Sequence, residues 1–120
     1  MGPGRLIQVG DAVAAWGRDE SVITQRMVVN VFPGREVDFE DALSEARQHV
    51  FEAEGFRRFT VERGIDRPST YLVQILWETA EEQARFTRSD LFTRWATLLD
   101  PYGVGTPVVE RFEQRPGLSL

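Results

Sequence analysis

The stretch that decides the fold is Thr70–Phe92, which reads TYLVQILWETAEEQARFTRSDLF. Its first eight residues are β-branched, aromatic or aliphatic except for Gln74, and they predict a strand over Thr70–Trp77. The residues that follow, Thr79 to Glu82, have the Thr-x-x-Glu pattern of a capping box, which starts a helix by satisfying its first free N–H groups. The apolar strand therefore ends abruptly because a helix begins directly after it.

The rest of the chain supplies three more strands and another helix. Gln25–Phe32, Phe56–Gly64 and Thr106–Gln114 are rich in strand-forming residues and are predicted to be strands. Asp38–Glu54 carries apolar residues at helical spacing and acidic residues at its start, which predicts a helix. Ser89 is predicted to cap a second helical piece after the capping box.

The predicted order β-α-β-β-α-β is typical of the α+β class and of its ferredoxin-like fold. That fold is a four-stranded antiparallel sheet with both helices on one face. Its first and third strands are central, and its second and fourth strands lie at the edges. We assign this domain to residues 25–115, after an N-terminal arm of residues 1–24 and before a C-terminal tail of residues 116–120.

The third strand is apolar on both of its sides. Val73, Ile75 and Trp77 lie on one side, and Leu72 and Leu76 lie on the other. The helices cover only one face, and exposing large apolar side chains costs about 1.5–3 kcal/mol each. We therefore expect the second face to pack against the same face of another copy, which gives a homodimer in the form of a dimeric α+β barrel. The N-terminal arm folded over the sheet is the alternative cover, and the two can coexist.

The composition excludes several kinds of site. The chain has no cysteine, which excludes disulfides, thiol catalysis, thiolate-bound haem and cysteine-ligated metal clusters. Its one histidine, His49, rules out a multi-histidine metal site within one chain. All 14 basic residues are arginine, so lysine Schiff-base chemistry is excluded as well. We predict that no metal is bound.

The charge and hydropathy of the chain indicate where it acts. A net charge of −5 argues against nucleic acid and against anionic membrane surfaces as partners. No stretch is apolar enough to cross a bilayer, and the first ten residues, MGPGRLIQVG, lack the apolar core of a secretory signal. We predict a cytoplasmic protein.

From about Gln25 to Gln114 the chain resembles the antibiotic biosynthesis monooxygenase family of the dimeric α+β-barrel superfamily. The resemblance rests on three stretches, MVVNVFPGREVDFEDAL, EAEGFRRFTVER and YLVQILWETAEEQARFTRSDLF. It implies a homodimer with a hydrophobic pocket in each subunit. It also implies a cofactor-independent monooxygenase of secondary metabolism, which tailors an aromatic or polycyclic polyketide-type product with O2 as co-substrate and without flavin, haem or metal.

The resemblance carries over to some site residues and not to others. Trp77 matches the tryptophan that ends the central strand and lines the pocket in these oxygenases. Anthrone oxygenases place an asparagine four residues before it, where this chain has Val73, which has no hydrogen-bonding group. Gln74 is adjacent, but strand alternation turns it to the other face. Related members have a histidine near the position of Phe86, and haem-degrading relatives bind iron through a later histidine; both are absent, so haem degradation is not expected.

Two polar residues are candidates to act beside Trp77. His49 lies on the flank of the apolar face of the first helix and is predicted to be the general base, since histidine titrates near neutral pH. Asn30 lies in a central strand and is predicted to bind a developing negative charge or O2, because a buried amide needs a partner. The alternative interpretations are a boundary histidine and a structural amide. Trp77 is predicted to stack on the substrate, or to be a plain core residue.

Six further residues are predicted to line the pocket for a hydrophobic aromatic substrate: Tyr71, Val73, Phe86, Phe92, Arg94 and Trp95. Two other functions remain open for such a pocket. The loss of a polar group at Val73 favours a cyclase or isomerase that folds a polyketide-type intermediate without O2. A non-catalytic small-molecule-binding protein would use the same pocket, because a fold alone does not settle function.

Overall fold

The computed structural model describes residues 22–118. The elements, in chain order, are β1 Ile23–Asn30, α1 Glu36–Phe51, β2 Phe56–Arg63, β3 Thr70–Trp77, α2 Ala80–Thr87, α3 Asp90–Leu99, a 3-10 turn Asp100–Tyr102 and β4 Val109–Glu113. The strands form one sheet in the order β2-β3-β1-β4, and every neighbouring pair is antiparallel. The predicted α+β ferredoxin-like fold is therefore confirmed, with the first and third strands at the centre.

The decisive stretch folds as its sequence predicts. β3 runs over Thr70–Trp77, and the Thr79 hydroxyl accepts a hydrogen bond from the backbone N–H of Glu82 at 3.1 Å. The second helical region is divided into α2 and α3, and the Ser89 hydroxyl accepts a hydrogen bond from the N–H of Phe92 at 3.4 Å. Both caps satisfy N–H groups that a helix start leaves free.

Several boundaries differ from the prediction by a few residues. α1 ends at Phe51 rather than Glu54, because the chain tightens into a three-residue turn in which the N–H of Ala53 bonds the carbonyl of Val50 at 3.0 Å. β1 begins two residues earlier than predicted, at Ile23. β4 begins only at Val109, after Pro107, which has no N–H to donate to a neighbouring strand.

The two faces of the sheet have different environments. On β3, Tyr71, Val73, Ile75 and Trp77 are buried under the helices, on what we call the inner face. The residues between them point to the opposite, outer face and are half-buried. The apolar core thus lies between the inner face and the three helices.

The outer face carries apolar side chains on both central strands, with the polar pair Arg26 and Gln74 between them. Val28 and Leu72 lie directly opposite each other on β1 and β3, and Leu76 is half-buried on the same face. Val28 and Phe112 are 40% and 47% exposed. The predicted N-terminal arm lies outside the described residues except for its last three.

Candidate substrate site

A row of aromatic rings runs through the core from β3 to α3. The ring centroids of Trp77 and Phe86 are 5.0 Å apart, and those of Phe86 and Phe92 are 5.7 Å apart. Phe92 continues the row to Trp95 at 6.1 Å. Such contacts add about 0.5–1.5 kcal/mol each beyond the burial of area, so the row joins β3 to α2 and α3.

An apolar cavity of about 270 Å³, which we call the α3 cavity, opens at the end of this row. It lies between α3, β1 and the segment that leads into β4. Its lining consists of Met27, Val29, Phe92, Trp95, Ala96, Leu99, Asp100, Gly103, Gly105, Thr106, Pro107 and Val109. The volume is close to the lower end of the range of about 300–1,000 Å³ for ligand pockets. From this volume we expect a ligand the size of a bicyclic or small tricyclic molecule.

A buried amide network lies beside the cavity, on the inner face. Within residues 22–118, Gln25 and Gln83 are the buried polar residues. The indole Nε1–H of Trp77 donates to Gln25 Oε1 at 2.9 Å, and Gln83 Nε2 donates to the same oxygen at 3.2 Å. Arg111 Nη1 donates to Gln83 Oε1 at 3.4 Å, which fixes the orientation of that second amide.

These partners determine which way the Gln25 amide points. An indole nitrogen can only donate, so the oxygen of Gln25 must face Trp77 and its NH2 group must face away. That NH2 group lies 3.8 Å from the sulfur of Met27. A thioether is a weak acceptor, so the donor capacity of Gln25 is largely unused. Met27 lines the α3 cavity, so the Met27 side chain separates this donor from the cavity.

Some residues that the sequence predicts for the pocket come together here. Phe92 and Trp95 line the α3 cavity. Trp77 and Phe86 lie behind them in the aromatic row. Val73 is fully buried on the inner face of β3. The predicted contacts of these residues with a substrate stay predictions.

Other predicted site residues lie apart from the cavity. Asn30 lies on the outer face, where it is exposed and accepts a hydrogen bond from the Thr70 hydroxyl at 2.9 Å. Gln74 also lies on the outer face, as alternation predicts. Arg94 is exposed on α3. The role of Asn30 as a binder of negative charge stays a prediction, and the sheet separates it from the α3 cavity.

His49 is half-buried on α1. Its Nδ1 is buried, and no group within residues 22–118 forms a hydrogen bond with that nitrogen. His49 is not one of the residues that line the α3 cavity. Its role as a general base therefore stays a prediction.

Tyr71 faces a different depression, a groove of about 400 Å³ between α1 and β2. Its hydroxyl donates to Glu40 Oε2 at 2.5 Å. Burial, and next the hydrogen bond to Glu40, raise the pKa of Tyr71 from 10.0 to about 12. Tyr71 is therefore a neutral donor that ties β3 to α1.

This raised pKa predicts a loss of stability in strong base. The folded-state pKa of Tyr71 exceeds its unfolded value, so the contribution is complete below pH 10.0 and is lost as the pH rises through about 12. We expect the free energy of unfolding of the wild type to fall relative to that of Tyr71→Phe over this interval. Urea titrations of both proteins across the interval measure the difference, and a difference that does not change with pH would contradict the assignment.

The sequence analysis missed Gln25 and Gln83. A signal was present for Gln25, because it shares the strand face of Met27 and Val29 at two-residue spacing. A glutamine in that series is buried and needs partners. No comparable local signal exists for Gln83, whose partner lies 58 residues away along the chain.

Two absences can be stated for the described part of the chain. Residues 22–118 contain no group of three or more His, Cys, Asp or Glu side chains arranged to hold a metal ion. The same residues include no helix of sufficient length and apolarity to cross a membrane.

The fold and the cavity define a ferredoxin-like protein with an apolar cavity between its sheet and helices. The chain belongs to the antibiotic biosynthesis monooxygenase family, whose family model matches residues 22–98. The predicted family membership is thereby confirmed.

Relatives show how far the similarity extends. A Bordetella bronchiseptica protein classed as an antibiotic biosynthesis monooxygenase is 28% identical, with a TM-score of 0.74 over 79% of this chain and 98% of that one. SnoaB of Streptomyces nogalater, a cofactor-independent oxygenase, has a TM-score of 0.70 at 22% identity over 79% of this chain and 94% of its own, a similarity of fold. The Bacillus subtilis protein YczJ is 25% identical over 93 residues, which are 77% of this chain and 98% of that protein.

Proposed function

We propose that this protein is a cofactor-independent monooxygenase that tailors an electron-rich aromatic or polycyclic substrate of the polyketide type. The observation that carries the proposal is the α3 cavity, an apolar chamber of about 270 Å³ closed on one side by the aromatic row. Family membership supports the reaction class, and the cavity supports the size and polarity of the substrate. The place of the reaction in secondary metabolism follows from the same proposal.

The chemistry requires no external reductant. A phenol or anthrone that has lost a proton transfers an electron to O2, and the two radicals then combine. For a substrate with a reactive CH2 group, one oxygen atom becomes the new carbonyl and the other leaves as water with the two hydrogens of the CH2. The protein needs to hold the substrate dry, stabilise its anion and keep the radicals together.

We assign the stabilisation of the substrate anion to Gln25. Its NH2 group is directed to the Met27 sulfur rather than to a strong acceptor, and Trp77 and Gln83 hold its oxygen in place. A methionine side chain is flexible, so a substrate that displaces Met27 gains access to this donor. Trp77 then acts by positioning Gln25. His49 does not line the α3 cavity, so this scheme gives it no contact with the substrate, and its role as a base stays a separate prediction.

The reaction is proposed to use no flavin, haem or metal. The cavity lining contains one carboxylate, Asp100, and no histidine, which is a poor set of ligands for a transition metal. The electron donor in this scheme is the substrate itself. The cytoplasmic location stays a prediction.

We also propose that the working form is a homodimer joined through the outer face. That face carries four large apolar side chains, those of Val28, Leu72, Leu76 and Phe112. Exposed apolar patches of this kind mark interaction surfaces. A two-fold axis through this face would bury the apolar side chains of both copies in a single interface. Each α3 cavity lies on the inner face of its own sheet, so both cavities would point away from that interface.

Oxygen consumption tests the proposed function. We expect the full chain to consume O2 with anthrone as the probe and to form the quinone in the presence of a metal chelator. Ala96→Phe should abolish this activity because Ala96 lines the cavity and a phenyl ring would fill much of it. Thr97→Phe places the same ring on an exposed position of α3 and should leave the rate unchanged. Equal rates in the two variants would remove the α3 cavity from the reaction.

A cyclase or isomerase in the same cavity is the second candidate. It is favoured by Val73, which is fully buried at the position where anthrone oxygenases have asparagine. Such an enzyme would not need O2. Product formation from a polyketide-type intermediate that continues without oxygen would establish this reading, and strict dependence on O2 would reject it.

A further inference from the structure

The indole N–H of Trp95 lacks a partner. The Trp95 side chain is 4% exposed and lines the α3 cavity. Its Nε1 is buried, and no group within residues 22–118 accepts a hydrogen bond from it. Nearly all buried polar groups in proteins are paired, and an unpaired one costs about 1–3 kcal/mol. The empty protein therefore carries a cost that an acceptor brought within reach of Nε1 would remove.

The side chains that line the cavity offer this N–H no alternative acceptor in the interior. The sulfur of Met27 already receives the NH2 group of Gln25. Asp100 and Thr106 line the cavity but are exposed. The remaining side chains of the lining are aliphatic or aromatic, and they present no acceptor.

We propose that Trp95 determines the specificity of the α3 cavity by donating a hydrogen bond to an acceptor oxygen of the ligand. The ligand is then an apolar ring system of two or three rings that carries a carbonyl or phenolate oxygen on the edge facing α3. Nε1 is covered in the empty cavity, so the indole ring turns slightly as the ligand enters. This inference rests on the proposed function only in using the same cavity, and it does not require turnover.

The size of the expected preference follows from the cost of the unpaired N–H. A ligand with the oxygen satisfies Nε1, whereas a hydrocarbon of the same shape leaves it unpaired. Recovering about 1.4 kcal/mol corresponds to about a tenfold difference in affinity. Replacing Trp95 by phenylalanine removes the N–H and keeps an aromatic ring. The contribution of the N–H is therefore the part of the preference for the oxygen-bearing ligand that is lost in this variant.

The test compares α-tetralone with tetralin, two bicyclic probes that share a skeleton and differ in one carbonyl oxygen. Both are titrated against the full chain, against Trp95→Phe and against Phe92→Leu. We expect Trp95→Phe to reduce the preference of the protein for α-tetralone by about tenfold. Phe92→Leu alters the same cavity without removing an N–H, so it should weaken both probes and leave the preference unchanged.

A spectroscopic signature separates a direct bond from a packing effect. The indole N–H signal of Trp95 is identified in proton–nitrogen correlation spectra by its loss in Trp95→Phe. We expect α-tetralone to move this signal downfield, because a new hydrogen bond deshields the proton, and tetralin to leave it near its original position.

Two results would overturn the inference. An unchanged preference in Trp95→Phe would show that the N–H does not contact the oxygen. Binding of neither probe by the full chain would show that the cavity does not take such ligands. Oxygen consumption with anthrone remains a separate measurement, so a failure of either kind is distinguishable from a failure of the proposed function.

Discussion

Replacement of Gln25 by methionine is expected to lower the turnover number for anthrone by about 100-fold, the usual cost of losing one preorganised donor to a developing anion. Methionine has nearly the same length and shape, so the cavity keeps its volume. The substitution removes the NH2 group that lies 3.8 Å from the Met27 sulfur. Single-turnover measurements at saturating substrate report the loss in the chemical step rather than in binding.

The same substitution also removes the acceptor of two buried donors. Trp77 Nε1 and Gln83 Nε2 both donate to Gln25 Oε1. Gln83 Nε2 would keep its bond to Thr87 Oγ1 at 3.1 Å, but Trp77 Nε1 would be left unpaired, which costs about 1–3 kcal/mol. A fall in activity could then reflect a disturbed core. Turnover is therefore normalised to the folded fraction, which is measured by urea titration.

Gln83→Met separates the two effects. It breaks the bond from α2 to Gln25 but leaves the NH2 group of Gln25 and its bond with Trp77 in place. We expect it to lower stability while reducing turnover much less than Gln25→Met does. Gln48→Met, on an exposed position of α1, should change neither quantity. Equal losses of turnover in Gln83→Met and Gln25→Met would mean that the network is structural and that Gln25 is not the donor.

The fold was predictable because its signals are local. The apolar run of β3, the capping threonine after it and the glycine and proline breaks each act within a few residues. Their order determines the sheet topology, since connections between neighbouring elements are short and follow few patterns. The errors in the ends of α1 and β4 arose where turn formation competes with continuation of the element.

The candidate site was less predictable because its groups meet through the tertiary structure. Trp77 and Gln25 are 52 residues apart, and their bond depends on the register in which β1 pairs with β3. The alternation of side chains along β1 was enough to predict two of these positions. It puts Asn30 on the same face as Val28, and Gln25 on the same face as Met27. The cavity was beyond local reasoning, because part of its wall is the segment Asp100–Val109, which follows the residues matched by the family.

Leu72→Arg is expected to convert the proposed homodimer into a monomer. Leu72 lies opposite Val28 on the central strands of the outer face, and a two-fold interface would contain the substitution twice. Each introduced guanidinium would lose its hydration in the interface, which costs several kcal/mol even beside a partner charge such as Glu62. We therefore expect the dissociation constant of the dimer to rise at least about 1,000-fold. Sedimentation equilibrium of the full chain at micromolar concentration measures this change.

The variant is expected to remain folded, because the new side chain lies on a surface that the monomer exposes. Its neighbour in register on β2 is Glu62, which offers the introduced guanidinium a partner. Val37→Arg is the matched control, since Val37 is 73% exposed on α1, away from the sheet. A dimer that survives Leu72→Arg would place the interface elsewhere. A wild type that is monomeric at the same concentration would contradict the proposed homodimer.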